Sequence, residues 1–164
     1  MSKVRFRASV TALAGILIAI GGCSENPSSQ RTFEFIQRGR MPLGDVSGTS
    51  SAVIDQRGGT VQTPMGDRIV FPAGALTAPT TITLTSNTQY VGVEVEPHGL
   101  RFPAGHYPVL VLNSSGANTS AYSSVNVVYI DDSGVLTDQL GTGSGPGTLQ
   151  AELPHFSILT AVGH

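Results

Sequence analysis

Charge is scarce in this 164-residue chain: Asp, Glu, Lys and Arg make up 12% of it, half the usual ~25% of soluble domains. Solubility must therefore come from Ser, Thr, Asn and Gly. Lysine is missing beyond Lys3, and of the 9 basic residues six lie past residue 22, where all 11 acidic ones also lie, a formal charge of −5 for that part. A chain so poor in cations has no footprint for a phosphate backbone, which excludes nucleic acid as a partner. Tryptophan is absent and cysteine occurs once, at position 23. Past the N-terminus no segment sustains apolar residues at three- and four-residue spacing, which argues against long amphipathic helices. What is abundant is glycine (20) and proline (10), the composition of short strands joined by turns. The length suggests one domain with extensions.

The first residues read as an address. "MSKVRFR" is a positively charged n-region and Ala8 to Gly22, "ASVTALAGILIAIGG", is an apolar h-region. The run is shorter than the ~20 residues that cross a bilayer, so a signal peptide is expected over residues 1–22. It ends in "IAIGGC", with two small residues before Cys23. This resembles the lipobox of bacterial lipoproteins, which implies cleavage between Gly22 and Cys23 and a covalent lipid on Cys23. An ordinary secretory signal is the alternative, but it leaves a lone exposed thiol unexplained. Buried acyl chains contribute ~0.8 kcal/mol per CH₂, so more than one chain anchors without any spanning helix. Ser24 stands where an Asp often means inner-membrane retention. The expected location is thus the bacterial envelope, at the outer membrane or cell surface. Residues 23–51, rich in Ser, Gly, Pro and Gln around the apolar island Phe33 to Ile36, read as a flexible tether, and the island as an edge strand or a lipid contact.

From Ala52 to the C-terminus turn signals recur every several residues, as in an all-β antiparallel sandwich. "AVID" and "GGTVQT" suggest a hairpin-like unit reversed at Gly58 and Gly59. "DRIVF", "TTITLTS" and "QYVGVEVE" follow, with Ile82 and Leu84 on one face of their strand and Val91, Val93 and Val95 on one face of theirs. "YPVLVLN" reads as a central strand. "SSVNVVYI", "GVLTDQL", "GTLQAEL" and "HFSILTAV" complete the set, with "GTGSGPG" as a flexible hairpin tip. "FPAG" occurs twice, at Phe71 to Gly74 and Phe102 to Gly105. In each copy a Phe closes a strand, Pro fixes φ and Gly turns the corner. Two corners sharing one solution, or a duplication, would explain the echo.

The ordered set of Gly58, Gly59 and Val61; Pro72, Gly74, Ala75 and Leu76; Pro97, Gly99 and Phe102; Pro108, Val109 and Leu112; and His155, Phe156 and Ser157 resembles the ZU-five domain. That β-sandwich occurs in ankyrins, netrin receptors and bacterial surface proteins, and the likeness covers roughly residues 52 to 162. The resemblance implies a structural or protein-binding module with an envelope or extracellular protein as partner. It carries a second implication, since in some relatives His-Phe-Ser cleaves itself. Ser157 Oγ would attack the Phe156 carbonyl with His155 as general base, and water would hydrolyse the ester.

Strand geometry opposes that step. In a flat strand His155 and Ser157 share a face but stand ~6.6 Å apart at a ~3.3 Å rise, beyond the ~2.6–3.2 Å reach of a base. The expectation is a closing strand with Phe156, Ile158 and Val162 in the core and His155 and Ser157 facing outward or binding neighbouring backbone. Of the remaining chemistry, His98, His106, His155 and His164 show no metal-ligand spacing. Asp131, Asp132 and Asp138 lack the EF-hand pattern and read as an ordinary turn, with calcium or glycan binding by the loops as a lesser alternative. "GTGSGPG" lacks the Lys of a phosphate loop. Asn113 and Asn118 open glycosylation sequons, which mean little if the lipobox makes the protein bacterial. No Ser-His-Asp or paired-carboxylate constellation is visible. The expectation is no metal, no cofactor besides the Cys23 lipid, and no enzyme acting on other molecules.

Overall fold

In the computed structural model, which describes residues 33–39, 48–131 and 135–164, the alternating runs become strands because one side of each is apolar and needs a partner layer. They are β1 (Glu34–Phe35), β2 (Thr49–Ile54), β3 (Gly59–Gln62), β4 (Arg68–Phe71), β5 (Thr80–Ser86), β6 (Gly92–Glu96), β7 (Val109–Asn113), β8 (Val125–Ile130), β9 (Leu136–Leu140), β10 (Thr142–Gly145), β11 (Thr148–Glu152) and β12 (Ile158–Gly163). One sheet runs β2-β5-β6-β12-β8-β9 with β1 also against β12, and the other runs β10-β11-β7-β4-β3. Every ladder is antiparallel. The protein is an all-β antiparallel sandwich, as its turn spacing implies. Among the described residues the only helical piece is one 3-10 turn, Thr119–Ala121, and no helix is long and apolar enough to cross a membrane.

The core forms where the alternations face one another. Ile82 and Leu84 of β5 and Val93 and Val95 of β6, with Val91 just ahead, close on Ile69 of β4, Leu110 and Leu112 of β7, and Leu149 of β11. β7 is the middle strand of its sheet, which is why "VLVL" is so continuously apolar.

The pairing departs from the sequence reading at three places. The unit "AVID"/"GGTVQT" is not a hairpin: β2 pairs with β5 and β3 with β4, so the reversal at Gly58 carries the chain from one sheet to the other. Gly58 has φ 78 and donates its N–H to Asp55 O at 3.0 Å. A Cβ there would run into the Phe71 carbonyl oxygen. The loop "GTGSGPG" is half strand, because Thr142–Gly145 pairs with Thr148–Ala151 around the Pro146-Gly147 turn. The boundary expected at residue 52 is also displaced. β2 begins at Thr49, and segment 33–38, read as tether, is woven into the sandwich. Ile36 donates to Ala161 O and accepts from Val91 N–H, and its side chain is buried. Of the two readings of the apolar island Phe33 to Ile36, an added strand or a lipid contact, the pairing of β1 with β12 is the strand.

The two "FPAG" corners are equivalent and touch. In each the Pro carbonyl accepts from the N–H three residues on (Pro72 from Ala75 at 3.2 Å, Pro103 from His106 at 3.0 Å). Gly74 and Gly105 sit at φ 82 and 83, the left-handed position of a type II turn. His106 Nδ1 pairs with Ala73 O at 2.9 Å, joining the second corner to the first.

Candidate functional site

The His155-Phe156-Ser157 tract is a connector between β11 and β12, fastened by backbone bonds. Phe102 N–H donates to Pro154 O (3.1 Å), Phe156 N–H to Leu100 O (2.9 Å), Gly99 N–H to Phe156 O (3.0 Å) and Val95 N–H to Ser157 O (3.3 Å). Phe156 is 1% exposed, edge-on to Phe71 and Phe102 at 5.9 and 4.9 Å between ring centroids. The His155 ring stacks on Tyr129, with centroids 4.2 Å apart and planes at 15°. Tyr129 Oη donates to the His155 carbonyl at 2.7 Å.

The chain bends at Pro154 and again at Ser157, and β12 starts only at Ile158. The expected closing strand is therefore corrected in its parity. Phe156 is interior and Val162 is buried as expected, but the bend shifts the alternation by one, so it is Leu159 and Ala161 that join the main core cluster, while Val162 and Thr160 are buried outside it and Ile158 is half-buried. A one-residue slip moves every side chain to the other face.

For acyl-shift chemistry the arrangement supplies a donor, Gly99 N–H, to the Phe156 carbonyl oxygen. His155 Nδ1 sits 3.4 Å from that same oxygen. Among the described residues no hydrogen bond joins the His155 ring to Ser157, and the ring is engaged with Tyr129. The full-length protein and Ser157→Ala are expected to keep the "SILTAVGH" segment alike. Loss of that segment's mass in the parent alone would establish cleavage.

Burial pushes the Tyr129 hydroxyl up to about 12, opposed by its bond to the His155 carbonyl and helped by the Asp138 charge. A raised folded pKa means the hydroxyl's contribution is complete below pH ~10 and is lost as pH climbs from ~10 toward ~12. Absorbance titration should show one tyrosinate forming late, together with loosening of the His155 connector.

A second site escaped sequence reasoning. Arg38 Nη2 pairs with Asp67 Oδ2 at 2.7 Å, with side chains 2% and 0% exposed, and Nη1 reaches Oδ1 at 3.4 Å. The guanidinium also donates to the carbonyls of Asn87 (3.0 Å), Asn113 (3.0 Å), Tyr90 (3.4 Å) and Gly92 (3.4 Å). Asp67 further accepts from Ser86 Oγ (2.5 Å) and Asn113 N–H (2.7 Å). Among the described residues no buried side-chain polar atom lacks a partner. This plug joins β1's extension to both sheets. The only sequence signal was an arginine inside a supposed tether.

Beside it, on the outer face of the seven-stranded sheet, lies a half-open groove of about 530 Å³ lined by Phe35, Tyr90, Glu94, Ile130, Ile158 and Thr160 among others. Phe35 and Tyr90 pair with centroids 5.4 Å apart. Asp131 Oδ1 accepts from Val135 N–H (2.9 Å), the turn chemistry expected of it, whereas Asp138, expected in the same turn, lies in β9 opposite Tyr129, its Oδ1 accepting from Gln139 N–H (2.8 Å). No group of three or more potential metal ligands occurs among the described residues. Gly22, Cys23, Ser24 and Asp132 lie outside the described residues. No family model matches the chain, and no curated protein matches it.

Proposed function

We propose that the protein is an envelope lipoprotein in which a lipid on Cys23 anchors a ZU-five-like sandwich acting as a structural or protein-binding module. The supporting observation is the short link between the two parts. The chain joins the sheet at Phe33–Ile36, ten residues after Cys23, and that point adjoins the apolar groove. Ten residues reach ~35 Å at most, so the groove would be held near the bilayer surface. Exposed Phe33 and Phe35 mark the same end.

Labelled palmitate should enter the full chain and fail to enter Cys23→Ser. The partner test is capture from envelope extract with the mature chain, which retains Arg38. A discrete partner lost on Phe35→Ser and Tyr90→Ser supports a binding module. Absence of label, or recovery of the full-length product in the cytosol, sinks the anchored reading.

A further inference from the structure

Where the start of β8 meets the β10–β11 hairpin, elements of different sheets enclose a cleft of about 330 Å³. It shares no lining residue with the groove beside Phe35 and Tyr90. Eight of its twelve lining residues carry a hydroxyl, and none carries a charge. Without a carboxylate it has little to hold a hard cation, and without Arg or Lys it has no charged partner for an anion.

The walls are fixed by bonds that cross the cleft's own frame. Ser114 N–H donates to Gly147 O at 2.9 Å, and Val127 N–H donates to Thr142 Oγ1 at 2.7 Å. Ser123 Oγ donates to His164 O at 2.5 Å, and Ser124 Oγ pairs with the His164 ring at 3.1 Å. Tyr122 Oη donates to Glu34 Oε2 at 3.5 Å. The hydroxyls of Ser114, Thr119, Ser144 and Thr148 are different: among the described residues none of them has a hydrogen-bond partner. Ser114 is only 6% exposed. No fully buried side-chain polar atom among the described residues lacks a partner, so Ser114 Oγ must reach the cleft that it lines. A polar group so deeply set needs a hydrogen bond, and the cleft is where its partner has to sit.

We propose that this cleft binds a neutral sugar ring. Sugar hydroxyls both donate and accept, as those of Ser and Thr do, so four uncommitted side-chain hydroxyls suit them. The C–H face of the ring packs on apolar walls, here Tyr122, Val125 and Leu149. The cleft's size lies at the small end of the ~300–1,000 Å³ of ligand pockets, which suits one or two rings rather than a folded partner. A ligand bearing a charge would lose its hydration with nothing to replace it.

The test titrates the full-length protein with glucose, galactose and N-acetylglucosamine, followed by saturation-transfer NMR, beside glucuronate and galacturonate as charged counterparts. At least one neutral sugar should bind with Kd on the order of 1 mM, and the charged sugars roughly tenfold more weakly or not at all. Ser114→Ala and Thr148→Val should each weaken binding roughly fivefold, the worth of one neutral hydrogen bond. Thr83→Val, which removes a hydroxyl bonded to Ser51 between β5 and β2, should leave binding unchanged. Thermal melts check each variant, and Ser144→Ala, at an exposed position, stands in should Ser114→Ala not fold. No binding by any of the neutral sugars overturns the proposal, as does equal binding by the charged ones. A sugar held alike by the parent, Ser114→Ala and Thr148→Val lies elsewhere and overturns it too. None of these readouts depends on Cys23 or on a protein partner, so the cleft stands or falls apart from the anchored binding module.

Discussion

Arg38→Ala is expected to cost about 3–5 kcal/mol, because it leaves the Asp67 carboxylate buried without its charge partner. With a urea slope of ~2 kcal/mol per M, the unfolding midpoint should fall by on the order of 2 M. Asp67 would keep its bonds from Ser86 Oγ and Asn113 N–H, but neither neutralises it. Four backbone carbonyls would also lose the donor that holds them. Arg38→Lys should recover little, since one ammonium cannot reproduce a planar fork serving a carboxylate and several carbonyls at once. Arg38→Met combined with Asp67→Leu should be much milder than Arg38→Ala, because desolvating two charges offsets much of what their pairing contributes. A cost below ~1 kcal/mol for Arg38→Ala would mean the pair is not buried in solution. The same reasoning bears on dissection. A fragment starting at Ala52 lacks Arg38 and half of β2, and is expected to show no cooperative melt.

The unequal legibility of the sequence has physical causes. Strands such as "TTITLTS" and "VGVEVE" show themselves because one face meets a core and the other water, and Ile82, Leu84, Val91, Val93 and Val95 are buried as alternation requires. Which strand pairs with which is not a local property: β2 and β3 are consecutive and look like a hairpin, yet they belong to different sheets. The end of the chain misleads for a different reason. "HFSILTAV" reads as one strand in which Phe156, Ile158 and Val162 share a face. A bend at Ser157 breaks the phase, and no residue type there announces it. Once broken, the phase gives β12 an apolar residue on each side, and Val162 comes out buried on the wrong side for a core residue. Arg38 was hidden by composition. Its neighbours Gln37 and Gly39 are polar or small, and the partner that explains it, Asp67, is 29 residues away. Among the residues read as candidate chemistry, His155 is brought against Tyr129 and Phe156 rather than against Ser157.

Phe156→Ala is the other substitution with a large expected effect, about 3–5 kcal/mol from lost burial and the cavity left behind. Phe156 stands between the two "FPAG" phenylalanines, which are themselves 6.1 Å apart edge to face. Removing it therefore undoes two aromatic contacts, each worth ~0.5–1.5 kcal/mol beyond burial. Phe71→Ala should cost about as much. Phe156→Leu should cost less than half, because a branched apolar side chain refills most of the volume. Ser157→Ala should stay within ~0.5 kcal/mol, as for a side chain outside the packed trio. Equilibrium unfolding of the four variants discriminates between the two meanings of His-Phe-Ser. If the tract is held for packing, stability follows Phe156 and ignores Ser157. If it is held for acyl transfer, the effect of Ser157→Ala appears in the intact mass and not in the midpoint. The trio's position favours packing: Phe71 closes β4, Phe102 opens the turn after the bridge of Arg101 with His155, and Phe156 drops between them from the connector to β12. One phenylalanine in the middle of a supposed reactive tripeptide thus ties both corner turns to the last strand.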